Sequence, residues 1–471
     1  MSATFNVSRV SAAPVVIVGG GVSGLATAYF LGKLGLCSTI IEKSQRLGGL
    51  IRTDSFEGCQ LEAGPDSFLA AKPAVAELAG ELGDLHAEII GSNDAERRIF
   101  VVRDQKLVAM PEGMVMVAPG KWGPALQSDL FSLRTKLRFV SETLRLPRHR
   151  PRDVSVAEFV EDHFGREVLE YVAEPLLSGV YGGNAARLSA QSVLPRFVDY
   201  ESRYGSLIRA VRRERRGPAK TASLFQSFRG GMQSLTDALA AAIHGCSTVV
   251  QSEAVTVERT GGGWRVATAD GSIECDHVIL ACPAHNVARL IEKTAPVLAS
   301  HLGAIPYSSA ILVTLVYERN QVPHPLNGFG FLVPRGERRV LSAATWVGTK
   351  FPCRVPANLA VLRGFIVDPQ SSPLLKASKD QIEKLVREEF ERLLGVQAAP
   401  RFSIVHMWPD SMPQYVLGHE QRRLVINGLL QVLAGLHLVG NAYEGVGIPD
   451  CIRLAKETAN RIGKTLFEAA G

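Results

Sequence analysis

Three adjacent glycines separate an apolar run from an alanine-rich stretch near the start of the chain, in VVIVGGGVSGLATAYF (15–30). Gly19, Gly21 and Gly24 have the spacing Gly-x-Gly-x-x-Gly. In a strand–turn–helix unit the first glycine permits a tight turn, the second lets the backbone approach a pyrophosphate, and the third lets helix and strand pack closely. The N–H groups at the helix N-terminus then bind phosphate. The pattern therefore predicts a dinucleotide site.

Glu42 ends the next apolar run, STIIE. A carboxylate at the end of the second strand accepts hydrogen bonds from both ribose hydroxyls of a nucleotide and repels a 2′-phosphate, so NADP is disfavoured. The alternative is a glycine-rich turn followed by a glutamate that faces solvent.

Three further loops distinguish NAD from FAD. They are RLGGLIRT (Arg46–Thr53), EAGPDSF (Glu62–Phe68) and VGNAYEGVGIPD (Val439–Asp450). A simple NAD-binding unit does not usually carry such loops, and their convergence from both ends of the chain favours an extended cofactor, FAD. The last loop precedes a helix whose positive end would stabilise an anionic reduced flavin.

The elements that position these loops follow from hydrophobic periodicity. We expect a strand at Val15–Val18, a helix at Val22–Leu34 and a strand at Ser38–Glu42, which is the βαβ start of a parallel sheet. The segment 247–284 alternates and turns, which predicts a β-meander that feeds a buried strand at Val278–Ala281. A strand to Val439 and a helix from about Pro449 are expected near the end of the chain.

The segment Pro111–Lys220 differs from the rest and is expected to be mostly helical, with Arg209–Lys220 as an exposed connection. Within it, Ala125–Asp153 alternates apolar and basic residues. A basic amphipathic helix that lies on an anionic membrane leaflet has this pattern, and so has a solvated helix that covers a cavity. Both interpretations stay open.

The overall composition narrows the class of protein. A chain of 471 residues with 46% hydrophobic and 21% charged residues is long enough for two or three globular domains. The seven cysteines form no Cys-x-x-Cys pair, so neither a zinc site nor a disulfide framework is expected, and a reducing compartment is favoured. The first 13 residues lack the apolar core of a signal peptide, and no run of about 20 apolar residues occurs. The net charge of +6 does not by itself indicate a partner.

Six segments carry a family resemblance: GGGVSGLATAYFL, EKSQRLGGLIRT, EAGPDSF, FRGGMQSL, WPDSMPQYVLGH and GNAYEGVGIPDCI. Together they resemble the oxygen-dependent porphyrinogen oxidases of haem biosynthesis, which act on protoporphyrinogen IX or coproporphyrinogen III and are monoamine-oxidase-like flavoproteins. The glycine motif is common to many flavoproteins, whereas FRGGMQSL and MPQYVLGH are more particular. The resemblance runs from about residue 15 to residue 462.

The resemblance implies an α/β fold with a discontinuous Rossmann-like FAD domain, a sheet-based substrate domain and a helical domain that can dock on a membrane. The FAD domain would comprise 14–85, 221–290 and 405–465. The substrate domain would comprise 86–110 and 291–404, and the helical domain 111–220.

The resemblance also implies site residues. Those expected to contact FAD are Gly19, Gly20, Gly21, Val22, Ser23, Gly24, Glu42, Lys43, Arg46, Gly49, Leu50, Gly64, Pro65, Asp66, Ser67, Val255, Trp408, Val446, Gly447 and Ile448. Those expected around the substrate are Arg98, Gly179, Gly182, Leu332 and Trp346, where the family more often has Phe at the last position. The alternatives are a surface pair for Arg97 and Arg98, and plain core for the apolar residues.

Two departures concern the last loop. Gly440–Asn441 stands where many such flavoproteins have Gly-Asp, and the context of Cys451 does not match a covalent flavin attachment. We therefore expect non-covalent FAD and no metal. His406 and His419 are expected to be structural rather than proton shuttles.

The activity implied is a six-electron oxidation of coproporphyrinogen III or protoporphyrinogen IX to the porphyrin, with O₂ as acceptor and H₂O₂ as product. Arg97, Arg98 and Arg103 tilt the expectation slightly toward the substrate with four propionates. Partners left open are a membrane surface, a second copy of the chain and a metal-inserting chelatase; no nucleic acid is expected. The expected location is cytoplasmic, with peripheral contact to the inner face of the membrane left open. The rival functions are a flavin amine oxidase, an isoprenoid desaturase and a non-catalytic lipid or prenyl carrier.

Overall fold

The structure is a computed structural model, and it describes residues 15–214, 223–367 and 371–470. Three parts of the expected domains lie outside the described residues: residues 14, 221 and 222 of the FAD domain, residues 368–370 of the substrate domain, and residues 215–220 of the connection.

The strands, in chain order, are β1 (Val15–Val18), β2 (Ser38–Glu42), β3 (Thr53–Phe56), β4 (Cys59–Glu62), β5 (Phe68–Leu69), β6 (Ile89–Gly91), β7 (Ile99–Arg103), β8 (Lys106–Ala109), β9 (Met114–Val115), β10 (Ala118–Pro119), β11 (Phe225–Phe228), β12 (Ser247–Gln251), β13 (Ala254–Arg259), β14 (Trp264–Thr268), β15 (Gly271–Cys275), β16 (His277–Leu280), β17 (Tyr307–Glu318), β18 (Gly330–Leu332), β19 (Ala343–Trp346), β20 (Leu359–Val367), β21 (Phe402–Pro413) and β22 (Leu436–Leu438).

The α-helices are α1 (Val22–Lys33), α2 (Ala74–Glu81), α3 (Trp122–Gln127), α4 (Leu133–Glu142), α5 (Val156–Phe164), α6 (Arg166–Val168), α7 (Glu174–Tyr181), α8 (Ala190–Val193), α9 (Pro195–Tyr204), α10 (Leu207–Glu214), α11 (Gln233–Ala242), α12 (Ala284–Ile291), α13 (Pro296–Gly303), α14 (Val347–Lys350), α15 (Ser371–Leu374), α16 (Lys379–Leu394), α17 (His419–Val432) and α18 (Ile448–Ala470).

A parallel sheet holds the two ends of the chain together. Its strand order among the described residues is β12-β2-β1-β16-β22, and each neighbouring pair is parallel. The run VVIV of β1 is fully buried, as the central strand of a sheet covered on both faces must be. The βαβ start and the discontinuous parallel sheet expected from the sequence are confirmed. The meander is shorter than expected, because β12 pairs with β2 and only β13, β14 and β15 form an antiparallel unit.

A second, mostly antiparallel sheet has the order β21-β17-β20-β19-β18-β7-β8. The alternate residues Ile311, Val313 and Leu315 of β17 join Leu362 of β20 and Phe390 of α16 in one apolar cluster. Strands alternate their side chains between two faces, so one face of this sheet is packed under α16. The other face, called the inner face below, carries the remaining alternate residues.

Helices α3 to α10 form a separate helical layer with its own apolar core around Phe139, Phe159 and Phe164. The expected long helix over 125–153 is two helices, α3 and α4, and the chain after Glu142 is irregular up to α5. The expected connection begins as α10, whose Leu207, Ile208, Ala210 and Val211 are buried. Among the described residues, no helix is both long enough and apolar enough to span a membrane.

Candidate functional site

The loops with the predicted chemistry meet at the carboxyl edge of the parallel sheet. From β1 the chain proceeds to β2 and β12 on one side, whereas β16 and β22 lie on the other. Ligands of open α/β sheets bind at such a reversal of strand order, outside the carboxyl ends of the strands. The turn after β1 therefore opens into the crevice where a nucleotide is expected.

The glycines of this turn have different environments. Gly19 has φ +112°, and a Cβ on Gly24 would lie 2.0 Å from the carbonyl oxygen of Gly19, so both positions require glycine. A Cβ on Gly21 would meet only the Cα of Gly49, at 3.9 Å. Gly21 thus faces open space, and it is also the N-cap of α1, where no side chain caps the helix.

Glu42 lies beside this turn in a fixed orientation. Its Oε2 accepts a hydrogen bond from the Gly20 N–H at 2.7 Å, and its Oε1 accepts bonds from the N–H and the hydroxyl of Ser44, each at 2.8 Å. A carboxylate has about four acceptor positions, so lone pairs remain for a ligand. The exposed side chain of Lys43 follows immediately.

The loop 46–51 is attached to the glycine turn, since the Gly48 N–H donates to the Gly20 carbonyl at 2.8 Å. The Arg46 guanidinium donates to the carbonyls of Leu47 and Ile51, each at 3.0 Å, and to that of Gly49. Arg46 therefore holds the loop in shape, while Gly49 and Leu50 remain exposed.

The loop 62–67 packs between loop 46–51 and the inner face of the second sheet. A Cβ on Gly64 would lie 2.0 Å from the Leu50 carbonyl oxygen, so the two loops touch. The Trp408 indole N–H donates to the Ala63 carbonyl at 2.6 Å, and the Arg363 guanidinium donates to the Gly64 carbonyl. The half-buried Pro65 follows.

The side chains of Asp66 and Ser67 both contact Lys350. Both carboxylate oxygens of Asp66 lie 2.9 Å from Lys350 Nζ, and the Ser67 hydroxyl donates to Asp66 at 2.7 Å. Burial alone would raise the pKa of Asp66, but Lys350 and Arg363 outweigh it and hold that pKa well below its usual range.

The last loop joins β22 to α18. Gly440 has φ +136°, and a Cβ there would meet nothing within 4 Å. The Tyr415 hydroxyl donates to the Asn441 carbonyl and accepts from the Gly445 N–H, both at 2.8 Å, which fixes the loop. The three residues predicted to border the flavin, Val446, Gly447 and Ile448, lead directly into the first turn of α18.

Val255 lies at a β-bulge. The pairing of β13 with β14 passes from Ala254–Thr268 to Thr256–Ala267, so Val255 is the extra residue. Its side chain is exposed, and its backbone groups are displaced from the regular ladder. That backbone is where the sequence predicts an adenine contact.

FAD fits this crevice. Two glycines, Gly21 and Gly440, border space that a Cβ would fill, and they stand on opposite sides of the β1–β16 reversal. A helix N-terminus, an oriented carboxylate at Glu42 and the bulge at Val255 complete an extended series of donors and acceptors. Phosphate, ribose and adenine each have a chemically matched partner.

The strand register separates the predicted substrate residues. Leu332 pairs with Ala343 and Ala343 with Phe365, so Leu332 shares the inner face with Phe365. Trp346 pairs with Leu362, which lies on the opposite face, and Trp346 is fully buried against Phe100. The predicted cavity wall at Trp346 is thus placed in the core under α16, because a single residue of register decides the face.

The other predicted substrate residues are also divided. Arg98 is half-exposed, and its guanidinium forms an ion pair with Glu96 at 3.0 Å. Gly179 is exposed in α7, where a Cβ would meet nothing within 4 Å, whereas a Cβ on Gly182 would lie 2.4 Å from the Ser308 hydroxyl. Gly179 is therefore free to line a cavity, and Gly182 is tightly packed against β17.

The two histidines near MPQYVLGH are buried and lean toward the neutral form. Burial lowers the pKa of His406, although Asp54 lies 3.0 Å from its Nε2. Burial lowers the pKa of His419 to about 4, and its ring stacks on Tyr415 with centroids 4.0 Å apart. Neutral, packed rings agree with structural roles.

Sequence reasoning missed three residues that shape the site, Lys350, Arg363 and Tyr415. The only signal for Arg363 is a charged residue inside the apolar strand LAVLRGFIV. Such a residue is seldom buried without a partner, and here the partners lie almost 300 positions earlier in the chain.

Comparison with known proteins agrees with this geometry. Residues 22–463 match the family model for flavin containing amine oxidoreductases. The chain is 31% identical to the coproporphyrinogen III oxidase of Bacillus subtilis over 96% of its own length and 98% of that enzyme's length. It is 30% identical to the protoporphyrinogen oxidase of Bos taurus, over 95% and 98% of the two lengths.

Among solved structures, the chain matches a protein from Exiguobacterium provisionally assigned as a protoporphyrinogen oxidase. The TM-score is 0.86 at 28% identity, and the match covers 97% of this chain and 100% of that one. The resemblance predicted from the sequence is thereby confirmed. The chain belongs to the family of flavin-containing amine oxidoreductases, and it is a flavin-dependent oxidoreductase whose cofactor is FAD.

Proposed function

We propose that this chain oxidises coproporphyrinogen III to the porphyrin, with O₂ as the electron acceptor and H₂O₂ as the second product. The observation that carries the proposal is the similarity to the coproporphyrinogen III oxidase of Bacillus subtilis over nearly the whole of both chains. That span includes the nucleotide crevice, the inner face of the second sheet and the helical layer. An activity in haem biosynthesis follows from the same similarity.

A porphyrinogen holds four pyrroles joined by CH₂ bridges, and its conversion to a porphyrin removes six electrons. Bound FAD supplies a two-electron hydride acceptor that O₂ reoxidises, so three rounds are needed. The chain would hold the pyrophosphate at the glycine turn, the ribose at Glu42 and the isoalloxazine against loop 62–67 and the Trp408 that is bonded to it.

The chain's own contribution to the reaction is orientation and exclusion of water rather than proton transfer. The inner face presents apolar side chains around Leu312, Phe365 and Trp408, and such a face desolvates the reacting carbon. His406 and His419, with their lowered pKa values, are poorly suited to hold a proton at neutral pH. We therefore assign no acid or base to a side chain.

The choice of coproporphyrinogen III rests on similarity more than on charge. Arg97 and Arg98 pair with Asp94 and Glu96, and Arg103 lies 2.9 Å from Glu167. Each of these arginines already has a carboxylate neighbour. The structure therefore offers less support for a propionate-binding arginine group than the sequence suggested.

The test is a fluorescence assay in which each porphyrinogen is supplied separately to the FAD-loaded protein. We expect faster porphyrin formation from coproporphyrinogen III, with three H₂O₂ per porphyrin. Faster turnover of protoporphyrinogen IX would overturn the choice of substrate. Porphyrin formation no faster than spontaneous oxidation with either compound, together with turnover of putrescine or benzylamine, would favour an amine oxidase instead.

We further propose peripheral contact between α4 and an anionic membrane surface. Leu133, Leu137 and Val140 of α4 recur at helical spacing and are exposed, and the exposed Leu144 lies just beyond the end of the helix. Apolar residues on one exposed helix face fit the interfacial region of a bilayer. Arg134, which follows Leu133, is also exposed.

The basic residues contribute less to this surface than the sequence suggested. Arg145, Arg148 and Arg150 all bind the single carboxylate of Asp162, at 3.0, 3.2 and 2.6 Å. Arg138 donates to the carbonyls of Glu161 and Asp162. These arginines hold the helical layer together, and the exposed leucines are the main lipid-facing groups.

Co-sedimentation with vesicles of phosphatidylglycerol tests the membrane proposal. The variant Leu133→Ser/Leu137→Ser should lose most of its vesicle binding, because each buried leucine contributes about 1.5–3 kcal/mol. The matched control Leu424→Ser/Val432→Ser removes exposed apolar residues from α17 and should bind as the wild type does. Equal loss in both variants, or no binding by the wild type, would contradict the proposal.

A further inference from the structure

Five charged side chains lie together where loop 62–67 meets the inner face of the second sheet. We call Glu62, Asp66, Lys350, Arg354 and Arg363 the ion cluster. Arg354 and Arg363 are fully buried, and the side chains of the other three are at most 18% exposed. Charged residues are seldom buried to this extent unless their charges are balanced.

Each carboxylate of the ion cluster has an identified cation. Glu62 Oε1 lies 2.9 Å from Arg354 Nη1, and Asp66 is bound by Lys350 at 2.9 Å. The third cation, Arg363, donates to the Gly64 carbonyl and shares Asp66 with Lys350 through a longer ion pair, with 3.6 Å between its Nη1 and the Asp66 carboxylate. The buried Nε of Arg363 has no hydrogen-bond partner among the described residues.

The ion cluster therefore carries an excess of positive charge, since three cations face two carboxylates. Neighbouring groups do not cancel it. Arg52 pairs with Asp54 at 2.7 Å, which leaves that pair neutral, and burial lowers the pKa of His406 so that its ring tends to be neutral. Burial also raises the pKa of Glu62, which opposes the negative charge on that side chain.

The excess charge lies directly behind the loop expected to contact the flavin. Arg363 binds the carbonyl of Gly64, and Trp408 binds the carbonyl of the preceding Ala63. A two-electron-reduced flavin is most often an anion, and a nearby cation in a low-dielectric site favours it. The ion cluster thus has three cations for two carboxylates, beside a cofactor that becomes negative when it is reduced.

We propose that Arg363 acts on the bound flavin through its positive charge. It is the third cation of a cluster with two carboxylates, and this excess positive charge stabilises the reduced, anionic form of the bound flavin. The inference rests on the proposed cofactor site, in which the isoalloxazine packs against loop 62–67. Arg363 acts through loop 62–67 and does not itself take part in the oxidation of the substrate.

Sulfite binding to the FAD-loaded, full-length protein tests this proposal. The lone pair of sulfite forms a bond to flavin N5, and the displaced ring electron pair leaves a negative charge on the pyrimidine side. Arg363→Gln should raise the dissociation constant for sulfite about tenfold. A tenfold change in the reduction equilibrium corresponds to about 30 mV for a two-electron couple, which dye equilibration can measure. Arg363→Lys, which keeps the charge, should restore most of the affinity.

Asp66→Asn provides the opposite test, because it removes a negative charge and should tighten sulfite binding. Arg401→Gln is the control, since Arg401 pairs with Glu57 and Glu318 at an exposed edge of the same sheet. Unchanged sulfite affinity in FAD-loaded Arg363→Gln, or weaker binding in both Arg363→Gln and Asp66→Asn, would overturn the proposal. If Arg363→Gln does not retain FAD, the change of sulfite affinity in Asp66→Asn decides: tighter binding supports the proposal, and unchanged or weaker binding overturns it.

None of these measurements needs a porphyrinogen. A protein that binds FAD and sulfite as expected but makes no porphyrin would refute the proposed function and leave this inference intact. The converse result, porphyrin formation with a sulfite affinity insensitive to Arg363, would refute the inference alone.

Discussion

At the scale of single residues, the glycines of the first turn fall into two classes. Gly24 is required by the fold, since its Cβ would lie 2.0 Å from the Gly19 carbonyl, within the chain itself. Gly21 borders open space, so a side chain there meets the ligand rather than the protein. The same motif thus contains one residue that the fold requires and one that the cofactor requires.

This division makes a prediction. Gly21→Val should fold with a near-native circular dichroism spectrum but purify without FAD, because the branched side chain fills the phosphate position. Gly24→Val should fail to fold whether or not FAD is present. A yellow Gly21→Val protein, or a folded and FAD-loaded Gly24→Val protein, would contradict the assigned roles.

Glu42→Ala tests the ribose contact. Hydrogen bonds to a charged acceptor contribute about 1.5–3 kcal/mol each, so the dissociation constant for FAD should rise at least tenfold. Glu42 also accepts from Gly20 and Ser44, so Glu42→Gln is included to keep part of this geometry. The control is Glu258→Ala, at an exposed position of β13. Unchanged FAD affinity in Glu42→Ala after dialysis would show that Glu42 does not hold the ribose.

Arg98→Ala tests the predicted propionate contact. If Arg98 exchanges Glu96 for a propionate, KM for coproporphyrinogen III should rise about tenfold with a smaller fall in kcat, because the contact is remote from the reacting carbon. Arg98→Lys should recover only part, since an ammonium cannot form the two-pronged pair. The neighbouring Arg97→Ala is the matched control. Equal effects of Arg97→Ala and Arg98→Ala would indicate surface charge only.

The sequence predicted the glycine turn and Glu42 because their chemistry is local. Glycine spacing, strand and helix lie within about 30 consecutive positions, so no long-range contact is needed. It could not place Trp346, because the face of a strand residue depends on register with β18 and β20. Nor could it find Lys350 and Arg363, whose carboxylate lies in a distant loop.

At the scale of elements, a buried network of hydrogen-bonded side chains joins α4, α5 and α9. His163 Nδ1 lies 2.9 Å from Glu142, and His163 Nε2 lies 3.3 Å from Glu201. Glu142 also accepts from the N–H groups of Leu207 and Ile208 at the start of α10. Four helices are thus linked through one histidine and two glutamates.

Acid should weaken this part of the molecule. Burial alone would raise the pKa of Asp162, but Arg145 and Arg150 outweigh it and hold that pKa below its ordinary value. The pKa of Glu201 is likewise lowered by His163 and Arg150 against the effect of burial. A carboxyl group with a lowered pKa in the folded state stabilises it above the unfolded pKa of about 4, and this stabilisation is lost as the pH falls further.

The measurement is the midpoint of thermal unfolding between pH 6 and pH 3. We expect the midpoint to fall steeply below about pH 4 for the wild type. It should fall less steeply for Asp162→Asn, because this variant lacks the carboxylate whose protonation destabilises the folded state. The control is Asp199→Asn, whose carboxylate pairs with Arg203 on the exposed side of α9. Parallel pH profiles for the wild type and Asp162→Asn would exclude Asp162 as a source of the acid sensitivity.

The predictions of helices and strands that depend on one segment of the chain were correct. The prediction for β12 failed because two distant segments can both serve as its pairing partner. The sequence assigned β12 to the meander, because it precedes β13 and has the same alternation. In the folded chain β12 adds to the edge of the parallel sheet beside β2 instead. The alternation pattern is the same in either partnership, so periodicity could not choose between them.

At the scale of the whole molecule, a buried arginine joins three segments that lie far apart in the chain. Arg354 forms hydrogen bonds with the Phe228 carbonyl at 3.1 Å and the Ser227 hydroxyl at 2.8 Å, in addition to its ion pair with Glu62. Glu62 in turn accepts from the Met232 N–H at the start of α11. Arg354 lies between α14 and β20, and its guanidinium thus connects this segment to β11 and β4.

Arg354→Met should therefore destabilise the protein by about 3–5 kcal/mol, because it leaves the Glu62 carboxylate buried without a cation. The double variant Arg354→Met/Glu62→Gln should recover much of this loss, since the remaining amide still accepts from Met232 and carries no charge. The measurement is urea unfolding followed by flavin fluorescence and by circular dichroism, with the exposed Arg265→Met as control for loss of a surface ion pair. If the single and double variants are equally destabilised, the loss of stability comes from lost packing of the arginine side chain, and the ion pair with Glu62 contributes nothing measurable to it.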